Sequence, residues 1–133
     1  MTRHQLLDEP ITHSIIKAFF EVYNTLRHGL LEHLYVLALE RELRTLGRRV
    51  AREVWVPVWY KGATLGEQRL DMLVDERVIV EVKSTDTLHR SALRQLYSYL
   101  HATRLQTGLL LHFGPEPKFY RAVWSGDGRA GRS

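Results

Sequence analysis

The chain predicts an α/β fold built on one mixed sheet. Three observations carry that prediction. Apolar residues switch along the chain between helical spacing and strand-like runs. Residues 68–74 and 78–83 are two such runs separated only by Asp75-Glu76-Arg77, a connection short enough to demand an antiparallel hairpin. Residues 108–113 (GLLLHF) are apolar without alternation, as in a strand buried on both faces.

The elements follow in order. Residues 11–27 place Ile15, Ile16, Phe19, Phe20, Tyr23 and Leu26 at helical spacing, and Gly29 interrupts the run. A second helix is expected over 30–46, stopped by Gly47. Residues 50–60 are rich in Val and Trp. They read as a strand, at an edge or bulged near Pro57. Lys61-Gly62 and Gly66 mark the turn into the 68–74/78–83 hairpin. A helix over 88–103 and strands over 108–113 and 119–124 complete the order α, α, β, β, β, α, β, β. No repeat or linker divides residues 1–124, which read as a single domain. The tail 125–133 (SGDGRAGRS) is expected to be disordered.

Composition narrows the function classes. The 133 residues suffice for one cored domain but not two. The net charge of +4 permits nucleic-acid binding without demonstrating it. There are no cysteines, which excludes disulfides, thiolate metal sites and a cysteine nucleophile, and fits a cytoplasmic protein. Residues 1–10 carry His4, Asp8 and Glu9, so no signal peptide is expected. No stretch approaches the roughly 18 apolar residues of a membrane span.

The chemistry concentrates in acids on apolar elements. At about 100° per residue, Glu32 lies within about 60° of Tyr35, Val36, Leu39, Leu43 and Leu46 on the second helix. A carboxylate on that stripe must reach an edge, pair with a cation or bind metal. Asp71 interrupts Leu70-Asp71-Met72-Leu73-Val74, where an uncompensated acid is expensive; Arg69 or Arg77 would serve as structural partners. Glu81 and Lys83 follow the apolar Val78-Ile79-Val80 and, at alternate strand positions, share a face. Alone, that pair reads as the solvated end of a strand. Together, three acids on buried elements need more countercharge than one lysine supplies. A Mg²⁺ or Mn²⁺ ion would provide it, since hard cations favour oxygen ligands. Gln95 and Tyr99, spaced i, i+4, share the inward face of their helix with Leu88, Ala92, Leu96 and Thr103. They read either as hydrogen-bonded core or as groups steadying a site. His28 and His33, spaced i, i+5, do not share a helical face, which argues against a histidine metal centre.

These residues reach a known family. Gly29-Leu-Leu-Glu32-His-Leu-Tyr35 resembles the signature of the GxxExxY proteins, a branch of the PD-(D/E)XK nuclease superfamily. The resemblance continues through 56–62 (VPVWYKG), Arg69-Leu70-Asp71, Val80-Glu81-Val82-Lys83, 95–100 (QLYSYL) and 108–114 (GLLLHFG), and covers roughly residues 11–124. Gln95-x-x-x-Tyr99 also resembles the last motif of RecB-like nucleases. The resemblance implies a restriction-endonuclease-like core of α-β-β-β-α-β order. It implies metal ligands at Asp71 and Glu81, with the Val82 carbonyl third and Glu32 completing the shell. It implies a water-orienting lysine at Lys83, with Gln95 and Tyr99 supporting the site. The expected activity is Mg²⁺- or Mn²⁺-dependent hydrolysis of nucleic acid, DNA favoured. The alternative is a catalytically weak binding or interaction module on the same fold. Arg44, Arg48, Arg49, Arg52 and Lys61 are candidates for gripping the phosphate backbone, or form a solvated basic face. The small size favours help from a homodimer or a protein partner, and Trp55, Trp59 and Trp124 are candidates for such an interface or for the core.

Overall fold

The computed structural model describes residues 3–124, with side-chain positions from residue 8 onward. The tail expected to be disordered lies outside the described residues. The elements run α1 (Arg3–Leu26), α2 (Glu32–Thr45), β1 (Val50–Tyr60), β2 (Ala63–Val74), β3 (Val78–Lys83), α3 (Ser91–Thr103), β4 (Thr107–Phe113) and β5 (Pro117–Val123). The sheet order is β1-β2-β3-β4-β5. Every neighbouring pair is antiparallel except β3 and β4, which run parallel around α3. This is the mixed α/β sheet expected of a restriction-endonuclease-like core.

Helices cover both faces. α1 and α2 bury Ile15, Phe19, Tyr35, Leu39 and Leu43 against Met72, Val78, Val80, Val82, Leu109 and Leu111. α3 buries Ala92, Leu96, Tyr99 and Leu100 against Ile79, Leu110 and Ala122 on the other side. Alternate residues of β3 and β4 thus belong to different cores, which is why these strands lack a polar face. β4 is buried at every position.

The boundaries differ from expectation in three places. α1 begins well before residue 11 and carries Pro10 inside it. Its early part is anchored by tertiary contact: the buried Asp8 accepts hydrogen bonds from Arg77 Nε at 2.6 Å and Thr107 Oγ1 at 2.8 Å. β2 begins at Ala63, not 68, so Gly66 lies inside the strand opposite Val58. The turn is Lys61-Gly62 alone, both at positive φ (46° and 84°), as a two-residue primed hairpin requires. α3 begins at Ser91, three residues past the expected start, while Leu88 packs against its core from the preceding loop.

The β1–β2 hairpin is much longer than β3, whose pairing with β2 is confined to Met72, Leu73 and Val74. Its inner residues Val50, Met72 and Val74 pack with α1 and α2, whereas Val54, Val56 and Leu70 pack with α3. Strict alternation would keep these even-numbered positions on one face. The face changes at Glu53, which takes a left-handed φ of 54° opposite Asp71. The hairpin therefore changes face at the level of Asp71, which lies inside β2 between the paired Leu70 and Met72.

Candidate active site

Glu32 is set by the loop before it. Gly29 has a φ of 115°, a conformation that favours glycine, and Glu32 is the first residue of α2. Tyr35, one turn later, is fully buried and stacks on Phe113 at 4.1 Å between ring centres. Its hydroxyl donates to the Arg27 carbonyl and accepts from the Leu30 amide at 3.1 Å. The G-x-x-E-x-x-Y spacing thus ties the loop to the helix it introduces. His28 pins the same loop from outside: Nδ1 meets the Phe113 carbonyl at 2.7 Å and Nε2 the Asp86 carboxylate at 2.8 Å. The carboxylate of Glu32 sits in the first turn, where the helix dipole favours negative charge.

Asp71 and Glu81 meet one step beyond Met72↔Val80, the last ladder pair of β2 and β3. Here side chains replace the ladder. The Asp71 amide donates to Glu81 Oε2 at 3.0 Å, and the Val82 amide donates to Asp71 Oδ2 at 2.9 Å. Each carboxyl group is therefore fixed by the other strand's backbone. Glu81 is buried, and its pKa is pushed up to about 9, by burial first and then by the charge and hydrogen bond of Asp71. Glu32 faces the same acid from α2. Its pKa is raised by burial and then by Asp71, with Lys83 and Arg69 opposing. Asp71 stands between the two glutamates.

A hollow of about 260 Å³ is lined by Glu32, His33, Val36, Arg52, Glu53, Arg69 and Asp71. A second, of about 550 Å³, runs from Lys83 past Thr85, His89 and Ser91 to Arg94 and Gln95 at the start of α3. Gln95 is exposed on that wall, not packed inward. Tyr99 is buried as expected, and its pKa is pushed up to about 12 by burial and then by Glu81 and Asp71. Beside Lys83 in the β3–β4 register lies His112, buried, with Nε2 at 2.6 Å from the Thr85 carbonyl. His112 carried no periodicity signal, since every position of β4 is buried.

A sequence model of the PD-(D/E)XK nuclease superfamily matches residues 9–122. The chain belongs to the PD-(D/E)XK nuclease superfamily. Among solved structures, the crystal structure of SSO0001 is similar at a TM-score of 0.52 and 20% identity, covering 67% of this chain. At that identity the likeness concerns the fold. This chain spans 48% of the length of that structure. No curated protein matches.

Nucleases of this superfamily generally use divalent metal ions. The donor set here suits a hard cation: two carboxyl groups face each other, and burial and the charge of Asp71 hold the Glu81 carboxyl well above the usual carboxylate range despite the opposing charge of Lys83. Among the described residues, however, no group of three or more His, Asp or Glu side chains is arranged to hold a metal ion. Glu32 and Glu81 flank Asp71 without forming a cage. A cation bound by Asp71 and Glu81 would need the Val82 carbonyl or water to complete its shell.

The basic residues divide. Arg48 is engaged by Ser14 Oγ and Asp75 Oδ2, both at 3.0 Å, and by the Pro10 carbonyl at 3.2 Å, which joins α1 to the β2–β3 turn. Arg44 bonds Glu40 and the Val50 carbonyl. Arg52 pairs with Glu40 at 2.9 Å while lining the smaller hollow. Arg49 is exposed, with its amide held by Asp75, and Lys61 is exposed at the hairpin tip. Arg69, expected as a structural partner of Asp71, lines the smaller hollow with it, and Arg94, which lines the larger one, carried no distinguishing sequence signal. Trp124 is buried against His101, whereas Trp55 and Trp59 are exposed. No helix of the described residues is long and apolar enough to cross a membrane.

Proposed function

We propose that this chain hydrolyses phosphodiester bonds of nucleic acid in a metal-dependent reaction, as a member of the GxxExxY branch. One observation carries the reading: Asp71 and Glu81 are interlocked where β2 and β3 part, with Lys83 one alternate position further along the same strand. Mg²⁺ or Mn²⁺, when bound by Asp71, Glu81 and the Val82 carbonyl, supplies charge neutralisation of the phosphate and an acidified water. The protein's own residues do the rest. Lys83 donates from its ammonium to the attacking water or to the phosphate oxygen on which charge builds. Glu32, held by the Gly29–Tyr35 loop, adds negative charge beside Asp71 and accepts from water. Gln95 lies along the wall that leads from Lys83, where its amide can position a phosphate oxygen. Tyr99 backs the carboxyl pair. The attacking water forms the new P–O bond and gives up a proton to solvent, the ester P–O bond breaks, and the leaving alkoxide takes up a proton from solvent.

Backbone phosphates are gripped by Arg94 beside Lys83 and by Arg69 and Arg52 beside Asp71, without base readout. DNA is the favoured substrate, and a second copy or a protein partner would extend the short footprint. The test is incubation of purified protein with Mg²⁺ or Mn²⁺ and a panel of single-stranded, duplex and branched DNA and RNA. Cleavage that stops on chelation supports the reading and names the substrate class. A folded protein inert on every substrate assigns the fold to binding instead.

A further inference from the structure

We propose that Trp55 and Trp59 form a stacking track for unpaired bases that leads single-stranded nucleic acid into the Asp71–Glu81 site. The proposal rests on the nucleolytic reading and names its substrate class.

Both tryptophans are exposed, at 59% and 62%, although they lie on β1 within the folded sheet. The β1–β2 register shifts between Val58 and Trp59, where Val58 pairs with Gly66 and Trp59 with Thr64. The extra residue is therefore on β2, and β1 keeps its own alternation. With Pro57 they occupy alternate positions of β1, so they share a face. The intervening Val54, Val56 and Val58 are turned to the other side, where Val54 and Val56 pack with the α3 core. The tryptophans are thus surplus to the core. Trp55 pairs with Arg69, and directly opposite residues share a face. Arg69 lines the hollow with Asp71 and Glu32. The aromatic face is therefore continuous with the floor of the site. Trp59 lies four residues further out, about 13 Å along the strand. Past Trp59 the Lys61 ammonium stands at the hairpin tip, 5.4 Å from the ring centre of the exposed Tyr60, which by alternation lies on the opposite face from the tryptophans.

The chemistry of the occupant follows. Indole faces beside a guanidinium suit flat π-surfaces on an anionic backbone, and base–aromatic stacking of this kind is tolerant of sequence. Stacking needs a free base face, which a duplex does not offer. A second copy of this chain fits less well. Charged residues divide the stripe: Arg69 lies opposite Trp55 and Glu67 opposite Pro57, while Glu53 pairs with Arg69 at 3.9 Å. The centres of protein interfaces are depleted of such charges.

The test reads tryptophan emission while single-stranded oligothymidylate, or a duplex of equal length, is titrated into the Glu81→Gln protein. It is run with Ca²⁺ and again with chelator. Trp124 is buried, so quenching reports Trp55 and Trp59. The single strand should quench emission and the duplex should not. In the same background, Trp55→Ala and Trp59→Ala should each weaken single-strand binding roughly five-fold or more by anisotropy of a labelled strand. Phenylalanine at both positions should retain most of the affinity, which separates stacking from misfolding. Unchanged emission at saturating strand overturns the proposal, as do alanine variants that bind like the parent. Emission that follows protein concentration alone overturns it too, and assigns the stripe to a second copy. Cleavage is read separately on the otherwise wild-type chain. Strand binding that needs the tryptophans, with no cleavage, sustains the track and overturns hydrolysis. Cleavage of single strands indifferent to both alanine variants does the reverse.

Discussion

In metal-free buffer, stability should fall as pH rises and Glu81 is forced to ionise. Its folded pKa of about 9 lies well above the ordinary glutamate value of 4.5. A raised carboxyl pKa means that the folded state binds the proton more tightly than the unfolded state. The stabilisation is complete below about 4.5 and is lost as pH climbs towards about 9. Urea midpoints measured across that window should decline for the wild type and decline much less for Glu81→Gln. Added Mg²⁺ should oppose the decline, because a bound cation favours the ionised pair and displaces the proton. A wild-type profile that stays flat while Glu81→Gln behaves identically would remove the buried proton from the account. Tyr35 offers a second handle. Tyr35→Phe keeps the stack on Phe113 but deletes the hydroxyl that ties Arg27 and Leu30 together. About 1–3 kcal/mol of stability should be lost, measured by denaturant unfolding. Cleavage should fall further than stability does, because Glu32 loses its fixed approach to Asp71.

The close contact of α3 with β4 passes through Gly108. A Cβ there would stand 2.7 Å from Leu96 Cδ1, and Leu96 is fully buried. Gly108→Ala should cost about 1–3 kcal/mol through overpacking, read as a lowered thermal midpoint. α1 has a comparable anchor in Asp8. Asp8→Ala removes the acceptor of both Arg77 and Thr107 and should cost about 2–3 kcal/mol. That anchor also explains why the start of α1 was not legible in the sequence: Pro10 reads as a boundary locally, and the contacts that carry the helix through it come from distant residues. The hairpin, the buried β4 and the parting of Asp71 and Glu81 from apolar strands were legible, because period and burial cost act within a few residues. The start of β2 was not, since Gly66 signals a turn and only pairing with Val58 makes it strand. Gln95 shared a helical stripe with Tyr99, yet it lies at the edge of that stripe, where the helix borders a hollow, while Ala92, Leu96 and Tyr99 fill the buried centre. The exposure of Trp55 and Trp59 was equally hidden, because the face change at Glu53 depends on a backbone angle that composition does not reveal.

Taken whole, the fold brings Glu32 and Asp71 to one hollow, sets the buried Glu81 against Asp71 where β2 and β3 part, and opens a second hollow at Lys83. Binding at such a site should be salt-dependent, since much of the affinity comes from neutralised phosphates. Raising salt from roughly 50 to 200 mM should weaken nucleic-acid binding at least ten-fold. Salt-independent affinity would shift the weight to stacking alone. The central claim is that Asp71 and Glu81 form a hydrolytic centre. It is tested most directly by comparing wild type with Glu81→Ala in Mg²⁺ or Mn²⁺ on a cleavable nucleic acid, with both proteins shown to be folded by near-ultraviolet circular dichroism. The account predicts cleavage by the wild type and none by the variant. Undiminished cleavage by folded Glu81→Ala would contradict it.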